Sequence, residues 1–141
     1  AILADTETVL LSQHPFAGRV PEFKEPYLEL LVYWACCDGF LTAPQLALIE
    51  KIAIDFSISS YSVSGFFKEA LKVSSAEQME HMKLLLAQLA AESSATTEKK
   101  AAISANLREY LSLIDSAQCS GKKNRASAAF KKRCLRQLKY I

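Results

Sequence analysis

The chain has 141 residues, of which 50% are hydrophobic, and its 17 basic and 15 acidic side chains give a formal net charge of +2. This length suffices for one domain that buries roughly two-thirds of the surface of its unfolded form, without a disulfide or a metal to hold it together. The longest apolar run of the first half, residues 30–37, is far shorter than the roughly 18 residues of a spanning helix, which argues against a transmembrane protein.

The spacing of the apolar residues predicts an all-α bundle of about six or seven helices. Residues 2–13 form the first helix, and a second begins at Pro26 and ends at the Asp-Gly turn of residues 38–39, where glycine adopts a left-handed backbone easily. The next helix begins with a capping box in which Thr42 and Gln45 each satisfy a free backbone amide. The positions expected to face the core in these two helices are Tyr27, Leu28, Leu31, Trp34, Ala35, Leu46, Ile49, Ile52, Ala53 and Phe56.

The second half continues with the same helical periodicity. A short helix follows a break at residues 57–60, and residues 74–77 offer another capping box for a helix that extends to about Ala91. A further apolar stripe covers residues 103–114, and the last helix follows a loop at residues 119–124. The positions expected to face inward are Val63, Phe66, Phe67, Ala70, Leu71, Met79, Met82, Leu85, Leu86, Leu89, Ile103, Leu107, Tyr110, Leu111, Ile114, Phe130, Cys134, Leu135, Leu138 and Ile141.

A weak internal repeat relates residues that are 54 positions apart. The matched pairs include Asp38 with Glu92, Thr42 with Thr96, and Ile49 with Ile103. The pattern predicts that the body consists of two similar helical hairpins, and chance similarity between Leu-rich helices is the alternative explanation.

Charge is strongly segregated along the chain. Residues 1–121 hold nine basic and fifteen acidic side chains, a net charge of −6, whereas residues 122–141 hold eight basic side chains and no acidic one. We expect a helical domain over residues 1–121, with its core at about 26–115, and a basic amphipathic helix over 122–141 that docks on it.

That basic helix has three competing uses. It docks on the acidic body through its apolar side, or it contacts anionic lipid, or it binds an acidic protein or a nucleic acid. Nucleic acid is disfavoured because the acidic body repels phosphate. The side chains predicted to contact a partner or an anionic surface are Lys122, Lys123, Arg125, Lys131, Lys132, Arg133, Arg136 and Lys139.

The sequence contains no local catalytic or cofactor motif. The cysteines at 36, 37, 119 and 134 form no Cys-x-x-Cys pair and have no histidine nearby, which is typical of structural thiols in a reducing cytoplasm. We expect His14 and His81 at the surface, and the four glycines form no phosphate-binding loop. These features predict a protein that is not an enzyme and has no cofactor.

The stretch from Asp38 to Glu50, Asp-Gly-Phe-Leu-Thr-Ala-Pro-Gln-Leu-Ala-Leu-Ile-Glu, resembles the acidic turn and capped helix of the TerB-like family, which is linked to tellurite resistance. It also resembles the related domain that precedes the J domain in membrane-anchored DjlA-type co-chaperones. The resemblance covers roughly residues 26–115. It implies a helical fold, a cytoplasmic location and stress-related or envelope-associated partners.

In some members of that family an acidic site is proposed to hold a divalent cation. Carried over to this chain, the site uses Asp38 and Glu50. Gln45 stands where the family has a carboxylate, and Ser93 replaces the glycine of the second turn. A hard cation prefers several oxygen ligands with two or more carboxylates, so this departure weakens the metal hypothesis.

Together these features predict a non-catalytic protein-interaction or regulatory module, such as an accessory domain of a stress-response or co-chaperone protein. The alternative is a divalent-metal-binding stress-response domain centred on the Asp38–Gly39 turn. We expect a cytoplasmic location, with any membrane anchor outside this chain.

Overall fold

The helical periodicity of the sequence appears as six helices in the computed structural model, which describes residues 24–38, 41–92, 97–117 and 125–138. The helices are α1 (Lys24–Cys36), α2 (Ala43–Asp55), α3 (Ser60–Lys72), α4 (Ser75–Glu92), α5 (Thr97–Ser116) and α6 (Arg125–Leu138). The all-α prediction is therefore confirmed for the described residues, and none of their helices is long and apolar enough to cross a membrane. The helix predicted at residues 2–13 lies outside these ranges.

Helix α1 is the central element of the bundle. It packs against α2, α3, α4 and α5, and from Tyr27 to Cys36 every residue except Glu29 is buried. The single predicted stripe was too narrow, because Leu30 and Val32 on the other side of the helix are also fully buried. A helix that is apolar on all sides is stable when neighbours cover all of them, and four helices do so here.

The capping box at the start of α2 is present as predicted. The backbone N–H of Gln45 donates to the Thr42 hydroxyl (3.3 Å), and the backbone N–H of Thr42 donates to Gln45 Oε1 (3.1 Å). Both residues also bind the end of α5: Thr42 Oγ1 donates to the carbonyl of Ala117 (3.3 Å), and Gln45 Nε2 donates to that of Ile114 (3.1 Å). The cap therefore also fixes α2 against α5.

Helix α3 packs on α1 and α2, and it is less buried than its pattern predicted. Val63, Phe67 and Ala70 are buried as expected, but Leu71 is 64% exposed. The predicted inward position of Leu71 is wrong, because the side of α3 that carries it is not covered by α1 or α2. The chain reaches α3 through Ser57, whose φ of 58° is the left-handed conformation common after a helix C-terminus.

The remaining helices complete a single core. Helix α4 packs along α1, α5 packs on α1 and α2, and α6 packs on α4 and α5. Tyr110 of α5 makes edge-to-face ring contacts with Tyr27 and Phe56, at centroid distances of 6.5 and 5.7 Å. From α6, Phe130 and Cys134 enter the same core as predicted, so the basic helix is packed on the body.

The buried amide of Gln45 gives a test of this packing. Gln45→Glu should destabilise the fold by about 2–3 kcal/mol, because an ionised carboxylate cannot donate to the carbonyl of Ile114 and leaves it unpaired in the interior. Urea unfolding at neutral pH measures the change. Gln88→Glu on the exposed face of α4 is the matched control and should shift stability by less than about 0.5 kcal/mol. Equal effects of the two substitutions would contradict the assigned role of Gln45.

Candidate functional site

Asp38, the centre of the predicted metal site, lies at the end of α1 and is only 7% exposed. Ser127 Oγ donates to Asp38 Oδ1 (2.6 Å), and the ammonium of Lys131 donates to Asp38 Oδ2 (2.8 Å). Lys131 also donates to Asp115 Oδ1 (3.1 Å), which accepts a second hydrogen bond from the Trp34 indole N–H (2.9 Å). We call these five residues the Asp38 cluster.

The Asp38 cluster lies where two helices end. Asp38 follows the last turn of α1, and Asp115 is in the last turn of α5. Neither last turn contains a basic residue. The carboxylates therefore add to the negative ends of the helix dipoles, and a cation is favoured there. Lys131 of α6 supplies it.

Lys131 is held as a cation by its surroundings. Its ammonium also lies 5.1 Å from the centre of the Trp34 ring, within the range of a cation–π contact. Burial lowers the pKa of Lys131, but the electrostatic interaction with Cys37, the hydrogen bond to Asp38 and the charges of Asp115 and Asp38 outweigh it, so the pKa lies above its ordinary value. At neutral pH the cluster is a buried ion pair.

This geometry bears directly on the predicted metal site. Both carboxylate oxygens of Asp38 accept hydrogen bonds, one of them from a cation, and Glu50 is exposed on α2. Within the described ranges, no group of three or more His, Cys, Asp or Glu residues is arranged to hold a metal ion. A divalent cation at Asp38 would have to compete with the Lys131 ammonium.

The structure separates the residues of the predicted basic surface into one buried lysine and a set of exposed side chains. Lys131 is only 6% exposed and faces inward, so it has to be removed from the residues proposed to contact a partner. Lys132, Arg133 and Arg136 are exposed on the outer side of α6. The side chain of Arg125 lies outside the described part of the chain, as do Lys122, Lys123 and Lys139.

An apolar groove between α2 and α3 was not predicted. It has a volume of about 600 Å³. Ile54, 69% exposed, and Leu71, 64% exposed, are among its lining residues, while Glu50 and Lys68 are its charged members. The other lining residues are Leu41, Leu46, Ala53, Ile58, Ser60, Val63, Ser64 and Phe67. Periodicity had assigned Leu46 and Leu71 to the core.

His81 has a partner that local motifs could not show. Its Nε2 lies 2.8 Å from Glu29 Oε1, and its ring packs against that of Tyr33 at a centroid distance of 4.4 Å, with the two planes tilted by 37°. The residue is half-buried between α1 and α4, not simply at the surface as expected. Tyr33 and His81 line a cavity of about 290 Å³ together with Glu77 and Glu80. We assign the contacts of His81 with Glu29 and Tyr33 a role in packing α4 on α1.

The described cysteines have the properties of structural thiols. Burial raises the pKa of Cys36 to about 11, of Cys37 to about 12 and of Cys134 to about 11. Since the thiolate is the nucleophile, these groups are unreactive at physiological pH. Cys119 lies outside the described residues.

The chain matches no model of a known protein family, and it matches no curated protein and no solved structure. The TerB-like resemblance therefore rests on the Asp38–Glu50 motif alone and stays a prediction.

The Asp38 cluster predicts that removing the charge of Lys131 strongly destabilises the protein. Lys131→Met should lower the free energy of unfolding by about 3–5 kcal/mol, because it leaves the carboxylate of Asp38 buried without its cation. Denaturant unfolding measures this. Lys132→Met, at the exposed neighbouring position, should change stability by no more than about 0.5 kcal/mol. A small effect at Lys131 would show that the cluster is hydrated and weak.

The raised pKa of Lys131 determines how the stability difference between the wild type and Lys131→Met depends on pH. A group whose pKa is higher in the folded state stabilises the fold fully below its unfolded pKa and loses this effect as pH rises through the folded value. The advantage of the wild type over Lys131→Met should therefore persist through neutral pH and shrink only above 10.5, the ordinary value. Thermal melting of both proteins at increasing pH measures it.

Calcium tests the metal alternative separately. Millimolar calcium should leave the melting temperature unchanged, because a cation at Asp38 would have to displace Lys131. A rise that disappears in Glu50→Gln would instead support a metal site at these residues. Glu50 is exposed, so this variant should fold normally, and a changed response to calcium would be due to the lost carboxylate.

Proposed function

We propose that this protein is a non-catalytic interaction module that binds an amphipathic helix of a partner protein in the groove between α2 and α3. The observation that supports the proposal is the groove itself, about 600 Å³ in volume and lined mainly by apolar side chains. Helix-in-groove binding is a common mode of peptide recognition, in which a partner helix inserts side chains at one-turn spacing.

The composition of α2 supports this use. One face of the helix is buried and contains Leu48, Ile49 and Ile52. A second face, with Leu46 and Ile54, also consists largely of apolar side chains, although it lines an open groove. An apolar face on the surface of a bundle is typical of an interaction site.

The shape and charge of the groove favour a helix as its occupant. Two 13-residue helices border it, and each is about 20 Å long, which matches three to four turns of a bound helix. Glu50 lies on α2 and Lys68 on α3. A partner helix with an apolar stripe, a basic residue on one side and an acidic residue on the other complements this arrangement.

The resemblance of the Asp38–Glu50 motif to the TerB-like family gives the module a context. On that resemblance we propose a TerB-like domain built from two similar hairpins, located in the cytoplasm and serving as an accessory domain of a stress-response or co-chaperone protein. A domain over 1–121 with a docked basic helix over 122–141 is part of the same proposal.

The groove proposal predicts a specific loss of binding. Helical peptides selected from a displayed random library on the full chain should share an apolar stripe with one-turn spacing. Ile54→Glu should weaken their binding at least tenfold, since burying an aliphatic side chain of this size contributes about 1.5–3 kcal/mol. Isothermal titration with a selected peptide measures the change.

Leu84→Glu is the matched control, because Leu84 is 68% exposed and lies on α4, outside the groove. It should leave peptide affinity unchanged. Peptide binding that survives Ile54→Glu contradicts the proposal, as does a concentration-dependent dimer that Ile54→Glu dissolves. A third contradicting result is that Leu10→Glu shifts the NMR resonance of an Ile54 methyl group. This result would assign the groove to the chain's own N-terminal segment.

A further inference from the structure

The outer face of α6 is a cationic surface that the Asp38 cluster does not use. Lys132, Arg133 and Arg136 are exposed on α6. Arg136 lies four residues after Lys132 and three after Arg133, so the three side chains share one side of the helix. No described acidic side chain forms an ion pair or hydrogen bond with any of the three. The described part of α6 itself contains no Asp or Glu.

A basic residue of α4 extends this surface. Lys83 and Arg133 both lie 6.0 Å from the centre of the ring of Phe130, a buried aromatic side chain. Glu80 pairs with Lys83 at 2.9 Å. The uncompensated charge of the surface is therefore that of Lys132, Arg133 and Arg136, which we call the α6 basic face.

We propose that the α6 basic face docks the protein on an anionic lipid bilayer. A negatively charged membrane attracts basic residues close to its surface, and the attraction decays within a Debye length of roughly 8–10 Å. Of the acidic residues closest to α6, Asp38 and Asp115 are hydrogen-bonded to Lys131, and Glu80 is paired with Lys83. The charge that α6 presents to a membrane is therefore that of its three exposed cations.

The side chains between the cations favour a bilayer over nucleic acid. Ala126 and Ala129 are exposed on α6 beside the basic residues, and alanine can neither hydrogen-bond a base edge nor stack on a base. A flat layer of phosphate and carboxylate groups requires neither property. This inference concerns a surface on α6 and α4, so it does not depend on the groove between α2 and α3.

The test is sedimentation of the full chain with vesicles of phosphatidylcholine that contain roughly one-third phosphatidylserine. The wild type should bind these vesicles, should bind pure phosphatidylcholine vesicles much less, and should be released by roughly 0.5 M salt. Each basic residue near the surface contributes about a fivefold increase in binding. Replacing Lys132, Arg133 and Arg136 together by Gln should thus weaken binding roughly a hundredfold, and Arg136→Gln alone about fivefold.

A second triple variant, in which Lys24, Lys68 and Lys72 become Gln, removes the same charge from exposed positions on α1 and α3. It should retain nearly wild-type binding. All variants should keep the wild-type melting temperature, because every position is exposed. Equal losses in the two triple variants would overturn the proposal in favour of net charge alone.

Two further outcomes would overturn the proposal. One is a wild type that does not sediment with the anionic vesicles even at low salt. The other is binding to duplex DNA in place of vesicles, with loss in the α6 triple variant, which would assign the α6 basic face to nucleic acid.

Discussion

The position of one ammonium group, that of Lys131 between Asp38 and Asp115, determines how the end of the bundle is assembled. A buried ion pair contributes little net stability, because removing its charges from water costs about as much as their attraction returns. What it specifies is geometry. The placement of α6 brings Lys131 within 3.1 Å of both carboxylates, with Ser127 at 2.6 Å from the first. The cluster therefore sets the register of α6 against the ends of α1 and α5.

Local patterns in the sequence predicted much of the fold. The Thr42–Gln45 capping box depends on residues three apart, and the helices and most core positions follow from one-turn spacing. The contacts of the Asp38 cluster were not predictable in this way, since Asp38 and Lys131 are 93 residues apart. A signal was nevertheless present: Ser127 and Lys131 share the helical spacing of Phe130 and Cys134, which places them on the buried side. The high charge of the segment concealed it.

The groove shows a different limit of periodicity. A repeat of apolar residues identifies a face, but it does not identify what covers that face. Leu46 and Leu71 follow the helical pattern as well as Ile49 and Ala70 do, yet Leu71 is exposed and both line the groove. Whether such a face lies in a core or at an interface depends on how many helices surround it. Among the described residues, α1 packs on four helices and is buried along most of its surface, whereas α3 packs mainly on two.

The charge segregation of the sequence now has a physical explanation in two parts. One basic residue of α6, Lys131, compensates the acidic ends of two helices, and it is buried because it lies between them. The three cations of the α6 basic face compensate nothing among the described residues, and neutralising the body's negative charge by docking does not account for them. They point away from the bundle on α6, while the apolar groove is bordered by α2 and α3. The two surfaces share no helix, so substitutions in one leave the side chains of the other in place.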